Sequence, residues 1–193
     1  MKHTLNFRIW HWLNAAVVLG LLGTVFLRKT FLSWRTNSEI LMSKLSEMDM
    51  DVTKEQATIL AKAIRAGMWE WHIILGYALA FLILYRAYLY FWDNSPREKF
   101  SSLTLHKKGV RSLYYVFYAA LFFMSVSGLT IHFYKELHIA KEIAGNIKDI
   151  HELVFNVIMV FVPIHVAGVV LADVTTEKGL VSSMINGVKA KEN

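Results

Sequence analysis

The sequence predicts an all-α integral membrane protein: a four-helix bundle with a long helical extramembrane loop between its first and second spanning helices. Hydrophobic residues make up 55% of the 193, and the mean hydropathy is +0.38. Charged residues avoid four stretches, 9–27, 71–92 (broken only by Arg86), 112–134 and 153–172. Each has roughly the twenty residues a helix needs to cross a hydrocarbon core. Trp10, Trp12, Trp69, Trp71, Trp92, Tyr90, Tyr114, Tyr115 and Tyr134 gather at their ends, as interfacial aromatic belts do.

The chain is expected to form a single domain, residues 1–193, with spanning helices at about 8–27, 69–92, 111–134 and 150–172 and an outer loop at 28–68. The first helix follows Lys2 and Arg8 and could imitate a signal peptide. Its apolar part is long for a signal core and no small-residue cleavage pattern closes it, so it is expected to be retained. The loop carries two capping-box patterns, Thr36-x-x-Glu39 and Thr53-x-x-Gln56. Apolar residues at helical spacing follow each: Leu41, Leu45 and Met48, then Ala57, Leu60, Ile64 and Met68. Two short amphipathic helices are expected, turning at Asp49-Met50-Asp51, with the second running into the second spanning helix. They read equally well as a lid or as a docking surface for a redox partner.

Asp93-Asn94-Ser95-Pro96 is the stop signal of the second spanning helix. A polar loop from Tyr134 to Lys148 joins the third to the fourth, and beyond Ala172 the chain turns polar again.

Four crossings put both termini on one side. Of the 21 lysines and arginines, 11 fall on that side and 10 on the other. The dense linker with Arg97, Lys99, Lys107, Lys108 and Arg111 outweighs charges spread over one long loop, so both termini are expected in the cytoplasm. The basic balance reflects this face and gives no argument for nucleic acid. Cysteine is absent, which excludes disulfides, thiolate metal sites, iron–sulfur clusters and covalent c-type haem within the chain.

Four histidines then need a reason, because ionisable groups inside a bilayer are costly and usually mark function. His151 and His165 lie fourteen residues apart in the last apolar segment, roughly 21 Å along a helix and only about 40° off one face. His11 starts the first segment and His72 the second. Following the chain across the membrane gives two levels: His72 with His151 outside, and His11 with His165 inside. One histidine from each of two facing helices at matched depth is what bis-imidazole ligation of a b-type haem requires. Two stacked haems suit this pattern.

Arg86, fourteen residues after His72, belongs to the inner level and would answer an anion such as a haem propionate; a snorkelling arginine is the bland alternative. Arg8, one turn from His11, could serve the same haem. Gly76, one turn after His72, leaves room for a porphyrin, as do Gly128 and Gly168, although small residues also serve ordinary helix packing. Pro163 precedes His165 and should kink its helix. His132 is the substitute should His72 or His151 not ligate.

The chain resembles the bacterial cytochrome b561 family, which includes the cytochrome b subunits of nickel–iron hydrogenases; membrane subunits of formate dehydrogenases are similar. The resemblance runs from about Arg8 to Gly187 and is carried by Arg8-Ile-Trp-His11-Trp-Leu-Asn-Ala, His72-Ile-Ile-Leu-Gly76 with Arg86, and Tyr114-Tyr115 leading to Ser127-Gly128-Leu129. Ile150-His151-Glu152, His165 and the tail Gly179-Leu-Val-Ser-Ser-Met184-Ile-Asn-Gly187 complete it. Membership implies a di-haem electron carrier exchanging electrons between a redox partner and membrane quinone. His72 and His151 would hold the outer haem and His11 and His165 the inner one. Quinone would bind at an inner edge near His11, Asn14 or Arg8. A c-type cytochrome or another redox subunit is the expected partner, and a homodimer is compatible with the sequence. The contrasting reading is a non-redox transporter or anchor whose histidines and Glu152 bind a transition metal or protons.

Overall fold

The computed structural model describes residues 4–92 and 99–187. Lys2, His3, the Asp93-Asn94-Ser95-Pro96 stop, Arg97 and the tail from residue 188 lie outside the described residues. Helices follow in the order α1 (Leu5–Lys29), α2 (Trp34–Ser46), α3 (Lys54–Trp92), α4 (Leu105–His132), α5 (Lys141–Thr175) and α6 (Leu180–Ile185), with a 3₁₀ turn at Phe100–Ser102. Four of them, α1, α3, α4 and α5, are long and apolar enough to cross a membrane. The all-α membrane fold expected from the apolar stretches is therefore the one observed. Large apolar side chains such as Phe81 and Leu84 stay about two-thirds exposed, which is tolerable where lipid rather than water covers them.

The loop region is helical, as its spacing suggests. Thr53 and Gln56 form the anticipated reciprocal cap: the Thr53 amide donates to Gln56 Oε1 at 2.9 Å and the Gln56 amide to Thr53 Oγ1 at 3.3 Å. From there α3 runs 39 residues without interruption. At 1.5 Å per residue that is about 58 Å, nearly twice a hydrocarbon core of ~30 Å, so its first turns project beyond the membrane.

Helix α2 starts before its predicted cap. Ser33 is the N-cap and makes no side-chain bond, leaving Thr36 inside the helix. Arg35 and, from α3, Lys62 place their cations over the Trp34 ring at 4.9 and 5.4 Å, contacts of about the same worth as a cap of ~1 kcal/mol. Leu45 O accepts from both Met48 N and Met50 N, closing the helix around Asp49 at φ 56°.

Helix α5 begins well ahead of its apolar stretch. Glu142 sits in its first turn, where the helix dipole favours a carboxylate, and Lys148 pairs with Glu152 one turn later. Pro163 lies within α5.

The helices contribute to two compact units. One is drawn from Met1–Ala15 and Leu79–Asn193, the other is Ala16–Ala78. In the first, Trp10 Nε1 donates to Leu82 O at 2.8 Å, Trp12 Nε1 donates to Met184 O at 3.1 Å, and Phe117 stacks on Phe161 at 4.0 Å. In the second, Gly20 lets α1 cross α3 closely, since a Cβ there would sit 2.9 Å from Leu75 Cδ1.

The end of the first unit depends on Gly187. Its φ is 76°, a region that costs a side-chain-bearing residue about 1–2 kcal/mol, and a Cβ there would overlap the Arg8 guanidinium. Gly187→Ala is expected to lower the unfolding midpoint in detergent and expose α6 to protease. Gly145→Ala, in a helix where a Cβ meets no atom within 4 Å, should leave the midpoint unchanged or raise it.

Candidate cofactor site

The inner-level histidines meet. His11 on α1 and His165 on α5 face each other with ring centroids 6.4 Å apart. Aromatic rings set the orientation of both. Phe161, one turn before His165, stacks on its ring at 5.7 Å, and Tyr114 of α4 meets it edge-on at 5.9 Å. Trp12 lies edge-on to His11 at 5.2 Å. Tyr114 and Trp12, which read as belt residues, thus flank the histidine pair.

Arg86 is neither a bare snorkelling cation nor paired with a carboxylate among the described residues. Its guanidinium lies over three rings, Phe7 at 5.1 Å, Trp10 at 5.3 Å and Tyr118 at 5.4 Å. Aromatic faces hold a cation without neutralising it. The box adjoins the histidine pair through sequence neighbours: Trp10 precedes His11, and Tyr118 is one turn from Tyr114. Trp10 is 2% exposed, so it is an interior residue of this unit rather than an interfacial anchor. The Nε atoms of Arg8 and Arg86 and the Oδ1 of Asn14 are buried and make no hydrogen bond among the described residues.

His72 and His151, the outer-level candidates, belong to different units and are held in the same manner. Thr24 Oγ1 lies 2.7 Å from His72 Nδ1, and Ser127 Oγ lies 2.7 Å from His151 Nδ1. Trp69 meets the His72 ring edge-on at 5.5 Å, and Arg28 lies over Trp69 at 5.4 Å. Gly128 lies beside the His151 ring, where a Cβ would come into contact with His151 Cε1 at 3.4 Å. At Gly76 and Gly168 a Cβ would meet nothing within 4 Å, so protein packing does not require glycine at either place. His132 ends α4 with its ring against Phe133 at 4.6 Å.

Sequence reasoning missed Thr24 and Ser127 as partners of histidine. The signal was present as hydroxyls within otherwise apolar segments, but such residues usually bond only to their own helix.

The model of the prokaryotic cytochrome b561 family matches residues 2–187. The chain belongs to that family. Cytochromes b561 bind b-type haem and carry electrons across membranes. No curated protein and no solved structure matches the chain.

The geometry accommodates such a group. Two metal–imidazole bonds of ~2 Å, each with about 1 Å from nitrogen to ring centre, separate two ring centres by ~6 Å, close to the 6.4 Å between His11 and His165. Among the described residues no three His, Cys, Asp or Glu side chains converge on a point that could hold a metal ion. A porphyrin supplies its own four nitrogens and needs only axial ligands from the protein.

Proposed function

We propose that this cytochrome b561 is a single di-haem membrane domain that passes electrons between a redox partner at its outer face and quinone in a bacterial inner membrane. The observation that carries the reading is the 6.4 Å pairing of His11 with His165. When bound, b-type haem supplies one-electron chemistry at its iron. His11 and His165 would hold the inner group. His72 and His151 are assigned to the outer one by their counted depths in the sequence, and each ring is already fixed by a hydroxyl. Arg86, in its aromatic box, and Arg8 would answer inner propionates by charge. Gly76 would clear the porphyrin face beside His72.

Asn14 supports a quinone site at the inner edge. It is 7% exposed with its Oδ1 unanswered among the described residues, a costly state that the hydroxyl of the reduced quinol would relieve by donating to it. The outer helices, α2 and the first turns of α3, are the surface on which a c-type cytochrome or another redox subunit would dock. The transporter reading loses ground on Glu152, which is paired with Lys148 at 3.1 Å on a partly exposed face instead of standing deep in the membrane as a proton relay would.

Fully loaded protein should contain two b-type haems per chain by pyridine haemochrome assay; a ratio of one would refute the two-level arrangement. In potentiometric titration, His11→Ala and His165→Ala should remove one redox wave and His72→Ala and His151→Ala the other. Should His11→Ala and His72→Ala abolish the same wave, the pairing is wrong.

Orientation is open to labelling, because the chain has no cysteine and both Ser46 and Ser102 are exposed. With both termini cytoplasmic, a cysteine at position 46 should react with impermeant reagent in intact cells and one at 102 should not. The reverse pattern would move the docking face to the cytoplasm.

A further inference from the structure

A hydroxyl carries one proton and two lone pairs. Thr24 Oγ1 donates that proton to Leu21 O at 2.7 Å, and Ser127 Oγ donates its own to Phe123 O at 2.6 Å. Both are buried, at 7% and 3% exposure. With the proton committed to a backbone carbonyl, each oxygen can only accept from the imidazole 2.7 Å away. The hydrogen therefore sits on Nδ1 in both His72 and His151, and the lone pair on Nε2. Among the described residues, Ser125, two before Ser127, bonds only to its own helix, so the second bond at Ser127 is not a general habit of buried serines here. His165 is instead held by rings.

We propose that Thr24 and Ser127 are positioning residues for iron ligation by His72 and His151, each hydroxyl fixing the Nδ1–H tautomer that leaves Nε2 free for the metal. The inference rests on the reading that these two histidines hold one haem, and it adds a consequence. A hydrogen bond from Nδ1–H makes an imidazole a stronger donor through its other nitrogen. Two such bonds favour the ferric state and lower the potential of the group they serve. The two hydroxyls stand on different helices, α1 and α4, and each bonds one of the two histidines that depth counting pairs.

The test uses the full-length haem-loaded protein and the variants Thr24→Val, Ser127→Ala, Thr24→Ser and Ser127→Thr, with haem content and potentiometric titration as readouts. Thr24→Val and Ser127→Ala should each shift the same single wave to more positive potential and leave the other wave in place. Thr24→Ser and Ser127→Thr should return it to the wild-type position. Unshifted waves at full haem content in Thr24→Val and Ser127→Ala would overturn the inference. If those two variants lose a haem instead, its retention in the hydroxyl-preserving pair supports the inference and its loss there overturns it. Loss of a shared wave in His72→Ala and His151→Ala tests the underlying reading separately, so the two failures are distinguishable.

Discussion

A bilayer offers no water, so a polar group inside it must find its partner within the protein or in something the protein binds. Backbone groups meet this demand by forming α1, α3, α4 and α5, and the side chains meet it one by one. Trp10 gives its indole hydrogen to Leu82 O, Thr24 and Ser127 give theirs to carbonyls one turn back, and Arg86 turns to three aromatic faces. Exceptions among the described residues, the Nε atoms of Arg8 and Arg86 and the Oδ1 of Asn14, gather near the His11–His165 pair.

The same constraint separates what was legible in the sequence from what was not. Spanning segments follow from composition, since charges are too costly to scatter through them, and the Thr53–Gln56 cap follows from a local pattern that no distant contact opposes. Histidines stand out because Arg86 is the only Asp, Glu, Lys or Arg that shares those stretches with them. Trp34 shows the limit: α2 starts ahead of the Thr36 pattern, and one of the cations over Trp34, that of Lys62, comes from another helix. Trp10 read as an interfacial residue because position along a segment says nothing about which way an indole faces. Thr24 and Ser127 were invisible as partners because their value lies in the second bond each makes, across to another helix.

Glycine and arginine show how one residue type can carry different meanings in this fold. Gly187 is required by its backbone conformation, with the Arg8 guanidinium beside it; Gly20 lies under a Leu75 methyl at a helix crossing, and Gly128 lies beside an imidazole. Gly145 is required by none of these. Arg35 covers an indole at the loop helix, whereas Arg86 keeps its charge within a ring of aromatics next to a histidine pair. Sequence position alone assigns these roles only where a motif or a depth count restricts them.

The unbroken course of α3 has a mechanical consequence. Eighteen residues of continuous helix separate Lys54 from His72, about 27 Å of rod with no proline and no joint. A helix of this kind is stiff along its axis, so a load applied at the loop end arrives at the imidazole as displacement instead of being absorbed by a hinge. Thr24, bonded to that imidazole from α1, would feel the same movement. The loop end of α3 and the His72 imidazole are in this sense a single lever.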